Sequence, residues 1–332
     1  MLKWLSVVYA ARALFSDITF LTLTARQTEL GSLTFVRLRL LLTEQTRPFR
    51  FALVAFAPVR LSALNYKKTS ADRSGSLFAI VDERIPKTCE NELLSRGFQL
   101  IKLKADDRLS VAVCSHTDMI LFRYKNTLVG SRAYFKTHNE LYERIKTSLP
   151  DFEFILSDEN VSAVYPKDAI FNALVIGKQI FLKADSASRE LLSLSEKAGL
   201  TAVNVNQGYP ACTTLALPSG FAITADMGMS RALAGNGIEI INISESEAIK
   251  LPPYRNGFIG GCAAVFENTV YFIGNLLAHP SAEKIKSELE KRGYEAVSLD
   301  SEADSLFDLG GMILINTERN GSKTSPNNPK SE

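Results

Sequence analysis

The 332-residue sequence predicts an α/β ring built from five ββαβ units. Three observations predict it. One pattern of strand, tight turn, strand, helix, small stop residue and strand recurs along residues 77–316. The positions just ahead of each first strand, Asp118, Asn172, Cys212, Gly261 and Gly311, are separated by 54, 40, 49 and 50 residues. The two halves of a fifth unit lie at opposite ends of this body, so pairing the last strand with the first closes the ring.

Residues 1–76 come first. They are Leu- and Arg-rich without a clean period of 2 or 3.6, and residues 1–75 hold 11 Lys+Arg against 4 Asp+Glu. They read as a poorly ordered basic extension, for which a misassigned start or an organellar or membrane-surface leader would each account. Residues 70–76, with Gly75 between serines, read as the linker into the folded body.

The body opens mid-unit, with a second strand at 78–82, a helix at 89–95, a stop at Gly97 and a third strand at 98–103. In the first complete unit, strands at 119–122 and 127–130 flank Arg123-Tyr124-Lys125-Asn126, and a helix near 139–148 leads to a strand at 152–156. The second places strands at 173–176 and 179–182 around Gly177-Lys178, then a helix at 187–197, Gly199 and a strand at 201–205. The third has strands at 213–217 and 221–224 around Pro218-Ser219-Gly220, a short helix to Leu233, and a strand at 238–243. The fourth has strands at 263–266 and 270–273, a helix at 282–291 capped by Ser281 and ended by Gly293, and a strand at 295–299. Residues 312–315 supply only a first strand, and 317–332 read as a disordered polar tail. Laying 312–315 beside 78–82 leaves no exposed sheet edge.

Composition narrows the function. A 46% hydrophobic content supports a large core, and the net charge is +2. Beyond residue 75 the balance is 27 Lys+Arg against 32 Asp+Glu, which argues against a nucleic-acid partner. Cys89, Cys114, Cys212 and Cys262 lie far apart with no C-x-x-C, and only three histidines are present. Free thiols in a reducing, cytoplasmic setting are expected, with no structural metal and no cofactor. No apolar run is long enough for a transmembrane helix.

Ser115-His116-Thr117-Asp118, the Asn206–Cys212 stretch and Phe258-Ile259-Gly260-Gly261 sit at the heads of these units. Together with the repeat they resemble the pentein or α/β-propeller superfamily of guanidino-group modifying enzymes, which includes arginine and agmatine deiminases, dimethylarginine hydrolases and amidinotransferases. The sequence is most similar to an uncharacterised bacterial branch. The resemblance covers residues 77–316 and implies a five-fold pseudosymmetric α/β-propeller of ββαβ units.

It also implies roles. A His-x-Asp heads one deiminase blade, and two blades on a thiol follows a Gly-containing turn with Ser or Thr two residues beyond; His116-Thr117-Asp118 and Gly208, Cys212, Thr214 occupy those places. Asp308 before Gly310-Gly311 matches a carboxylate one blade ahead of the His, in circularly permuted order. Cys212 then resembles the nucleophile, His116 the general acid/base, Asp118 a guanidinium-binding carboxylate, and Asp308 the group orienting His116. The chemistry wants those types: a guanidinium carbon is a poor electrophile, so carboxylates hold the fork, a thiolate attacks and a His protonates the leaving nitrogen.

Asn206 and Gln207 beside Cys212 are candidate substrate or oxyanion donors, and Asn172 and Gly261 are further candidate substrate contacts at the heads of their units. A second substrate carboxylate, expected on the blade after the Cys blade, is missing at Gly260-Gly261-Cys262; Asp226 is the candidate substitute. Cys262 competes for the thiol role. The expected activity is a cysteine-dependent hydrolase or transferase acting on a guanidino or amidino small molecule, in a monomer or homodimer. The alternative is a non-catalytic ring used for binding, like the ribosome anti-association factors of the same fold.

Overall fold

The computed structural model describes residues 76–317 together with the strands Trp4–Tyr9, Ile18–Gln27 and Leu33–Leu42. The chain divides into two compact units, residues 1–68 and 69–332. In the first, the three strands pair antiparallel in chain order. The rest of the expected basic extension, and the polar tail from residue 318, lie outside the described residues.

The second unit holds five three-stranded sheets with one shared pattern: the first strand pairs antiparallel with the second, and the second parallel with the third. A helix or helices cross from second to third strand, the connection parallel pairing requires. Four sheets are continuous in sequence. The fifth joins Ile313–Asn316 to Leu77–Asp82 and Phe98–Leu103, with Ile313 opposite Ile80 and Ile315 opposite Phe78. The terminal strands therefore pair as expected.

Second strands lie between two partners and read as apolar runs. In Gln179–Leu182, Ile180, Phe181 and Leu182 are fully buried. The helix Arg189–Lys197 starts where the Ser188 side chain accepts from Leu191 N–H, and it buries Leu191, Leu194 and Ser195 on one face. Gly97, Gly199, Gly237 and Gly293 all take positive φ just past their helices, the left-handed stop that favours glycine. Ser281 differs from expectation: it makes no side-chain capping bond to the helix Ala282–Glu290.

The structure also shows elements the periodicity did not indicate. A separate helix, Arg132–Thr137, precedes Asn139–Ser148, and Ile249–Lys250 pairs with Leu306–Phe307. Two first strands start later than expected. Thr117–Ile120 is a helical turn ahead of Leu121–Tyr124, and Pro210–Thr213 one ahead of Thr214–Leu217. Each turn carries a candidate site residue. First strands of all five sheets line a central cavity of about 390 Å³. Among the described residues no helix is long and apolar enough to cross a membrane.

Candidate active site

The two helical turns and the chain before Ile313 are stitched by backbone bonds. The His116 carbonyl accepts from Met119 and Ile120 N–H, which fixes the turn, and Thr117 and Asp118 N–H donate to the Leu309 and Gly310 carbonyls. On the other side Gly261 N–H donates to the Cys212 carbonyl, while its own carbonyl accepts from Leu309 and Gly311 N–H. These contacts need bare backbone. A Cβ on Gly261 would stand 1.9 Å from Asp308 Oδ1, and one on Gly310 2.4 Å from Asp118 Oδ1.

The result is a compact cluster. Cys212 Sγ donates to Asp118 Oδ2 at 2.6 Å, and Asn172 Nδ2 donates to Sγ at 3.3 Å. Asn172 is locked by its Oδ1, which accepts from Ala211 N–H. Donor atoms of His116, Asp118 and Cys212 all lie within 4.8 Å of one another, a nitrogen, oxygen and sulfur set that could also ligate a cation. Asp308 Oδ1 is 3.9 Å from His116 Nδ1; its oxygens accept from Phe258 and Gly310 N–H. Neither ring nitrogen of His116 has a hydrogen-bond partner.

Burial sets the charge states. His116 is 0% and Cys212 4% exposed. Burial pushes the imidazole down to about 4, with Asp82 opposing and Arg84 assisting. It pushes the Cys212 thiol well up, helped by Asp118 and Asp308. Asp118 rises to about 6, held back by the bonds from Cys212 and Asn172. Asp308 rises to about 7 through burial and the nearby Asp118. Near neutrality the resting cluster thus holds a neutral imidazole and a protonated thiol.

Sequence reasoning missed Asp82, at the end of Leu77–Asp82. Its buried carboxylate accepts from Ser115 Oγ at 2.7 Å and pairs with Arg84 at 2.6 Å, and Arg84 also reaches the Val111 and Ala112 carbonyls. The signal was available as an acid closing an otherwise apolar strand.

Five candidate residues stay outside the cluster. Asn206 is exposed, and its carbonyl accepts from the Tyr165 hydroxyl. Gln207 donates to Asp226 Oδ2 at 2.7 Å and accepts from Tyr209 N–H. Asp226 cannot stand in as a second clamp as placed, because its Oδ1 caps the helix Met227–Gly235 and its Oδ2 holds Gln207. Gly261 spends both backbone groups on Cys212, Leu309 and Gly311, so it positions the site rather than contacting substrate. Cys262, the competing thiol, donates to the Ile259 carbonyl, fully buried.

The model of a family described as a family of unknown function, DUF6873, matches residues 80–313. No curated protein matches the chain. Among solved structures it is similar to an amidinotransferase of saxitoxin biosynthesis from Microseira wollei (12% identity, TM-score 0.43, covering 72% of this chain and 96% of that one). It is also similar to the agmatine deiminase of C. jejuni (9%, TM-score 0.44, 69% and 88%) and to a cyanobacterial arginine dihydrolase (12%, TM-score 0.43, 76% and 40%). Similarity at this level leaves the cluster's own geometry to carry any reading of function.

Proposed function

We infer, for a chain that belongs to the DUF6873 family of unknown function, a cysteine-dependent hydrolase or transferase of guanidino or amidino small molecules. One observation carries this reading: a thiol ahead of one sheet lies within 4.8 Å of a carboxylate and an unpartnered imidazole ahead of another. The five sheets then act as blades of a closed, five-fold pseudosymmetric α/β-propeller over residues 77–316, which brings those groups to its axis.

The chemistry follows from the resting charges. An arriving guanidinium takes Asp118 Oδ2 from the thiol, forming charge-assisted bonds. The displaced S–H gives its proton to His116, and the thiolate attacks the guanidinium carbon, forming a C–S bond. Collapse of the tetrahedral adduct breaks one C–N bond, and the departing amine takes the proton from His116. Water or an acceptor amine, deprotonated by the neutral imidazole, then attacks the thiouronium carbon and breaks the C–S bond, returning the thiol. Asn172, bonded to Sγ, steadies the sulfur, and Asp308, 3.9 Å from Nδ1, favours the imidazolium once His116 has taken the thiol's proton.

2-Chloroacetamidine, a cationic amidine that alkylates thiolates, tests the reading. Stoichiometric labelling of Cys212 is expected, absent in Cys212→Ser and slowed about 10²-fold in His116→Ala. Its rate should rise as pH increases through about 6, where Asp118 ionises and can hold the cation. Asp118→Asn should erase the preference for chloroacetamidine over neutral chloroacetamide. Labelling of Cys212 no faster than of an ordinary free cysteine would mark the chain as a non-catalytic binding ring.

A further inference from the structure

The central cavity has two charged side chains in its lining, one toward each end. Asp118 stands at the inner end beside Thr117 and Thr214. Arg123 stands toward the hairpin turns, near Gly177 and Pro218. Thr117 and Thr214 are each 1% exposed, yet neither Oγ1 has a partner, and Asp118 Oδ1 has none either. Three oxygens able to accept from a cation therefore gather at one end.

Arg123 is the opposite case. Its Nη1 donates to the Leu314 carbonyl at 2.6 Å and its Nε to the Lys125 carbonyl, and the guanidinium lies over the Phe152 ring. Among the described residues no carboxylate lies within ion-pair distance of it. Burial pulls its pKa down to about 10. A desolvated cation without an anion is costly, and a cavity wall is where a ligand can supply one. One wall follows the strand Thr214–Leu217 from the Asp118 end to Pro218 at the hairpin end, and at about 3.3 Å per residue those four steps put the two ends about 13 Å apart. Hydrogen bonds of about 2.9 Å at each end leave about 7 Å for the ligand, the reach of a propyl to butyl spacer between head groups.

We propose that this cavity is a second binding site, entered from the hairpin end, for a linear ω-amino carboxylate that sets its carboxylate on Arg123 and its ammonium on Asp118, Thr117 and Thr214. The occupant is an effector, since it takes the Asp118 carboxylate on which the Cys212 thiol rests. Only that competition depends on the catalytic reading; the binding itself does not.

Calorimetry on the full chain tests it with 4-aminobutyrate and 5-aminopentanoate against butylamine and butyrate, which each lack one head group. The zwitterions should bind saturably and at least tenfold tighter than either control. Arg123→Gln should reduce 4-aminobutyrate to the level of butylamine, whereas Arg123→Lys, keeping the charge, retains part of the difference. Should Arg123→Gln fail to fold, Ala216→Phe, which fills the cavity from a partly exposed wall position, should abolish zwitterion binding. Equal affinity for 4-aminobutyrate and butylamine, or unchanged binding in Ala216→Phe, overturns the proposal. If chloroacetamidine labels Cys212 rapidly but no zwitterion binds, the second site fails and the catalytic reading stands. If zwitterions bind through Arg123 while labelling is no faster than for a free cysteine, the reverse holds.

Discussion

Gly260→Ala is expected to unfold the site and take much of the domain's stability with it. Its Cβ would stand 2.1 Å from the Ala211 carbonyl oxygen, 2.6 Å from that of Thr214 and 2.8 Å from that of Cys212. All three are backbone atoms of the turn that carries the thiol, so no side chain can swing aside. The cost is at or above the upper end of the 1–3 kcal/mol usual for overpacking, or about 6 °C or more in melting temperature for a domain of this size. Gly235→Ala is the internal control. It closes the helix Met227–Gly235 with nothing within 4 Å of the new Cβ, so its melting temperature should hold or rise. A small neutral thiol reagent should reach Cys212 faster in Gly260→Ala and at the wild-type rate in Gly235→Ala. Equal melting temperatures for wild type and Gly260→Ala would show that Gly260 and the 211–214 segment do not crowd there.

Asp308→Asn is expected to raise stability above neutrality while impairing chemistry. The carboxyl titrates at about 7 in the folded chain against a usual value of 3.8, so the folded state holds the proton more tightly than the unfolded. The penalty is absent below about pH 4, grows as pH rises, and is complete above about 7, on the order of 4 kcal/mol. Asparagine removes it and still accepts from Phe258 N–H, but gives up the Gly310 bond at about 1 kcal/mol. A net gain of about 3 kcal/mol should appear as a higher melting temperature at pH 8, by about 6–12 °C, with no gain at pH 4. His116, pushed down to about 4, destabilises in the other direction as pH falls below 6.5, so pH 8, where the imidazole is neutral, isolates the Asp308 effect. Chloroacetamidine labelling should slow in the same variant, because the neutral amide no longer favours the imidazolium that takes the thiol's proton. A variant no more stable than wild type at pH 8 would mean that Asp308 is not a strained, buried acid.

Such a trade of stability for chemistry explains which parts of the molecule were legible in its sequence. Second strands such as Gln179–Leu182 are buried on both faces, so their composition announces them, and glycines at 97, 199, 237 and 293 mark the ends of crossing helices. Asp118 and Cys212 could be picked out because the repeat puts both at the same place in their units, and His116 because His116-Thr117-Asp118 resembles the deiminase His-x-Asp. Their surroundings could not. The helical turns at Thr117–Ile120 and Pro210–Thr213 are too short to have a period, and Asp226 resembles a free acid until its two oxygens are seen capping a helix and holding Gln207. Asp82 and Arg84 are two residues apart, and nothing in their spacing marks them as part of a site. Only the packing of Ser115 against that carboxylate turns them toward the imidazole.

The pairing of Ile313–Asn316 with Leu77–Asp82 has a consequence for synthesis. Ser76 and Thr317 bond to each other across 241 residues, so the sheet that begins the body is the last to be completed. Four sheets can form as the chain leaves the ribosome, whereas Leu77–Asp82 waits with one flank bare until translation has passed Asn316. Closing a loop of that length costs about 5 kcal/mol in chain entropy, recovered only when the ladder and its apolar neighbours are in place. A nascent chain stalled before Ile313 would therefore present an apolar strand with one bare edge to its neighbours, the substrate a holdase chaperone recognises.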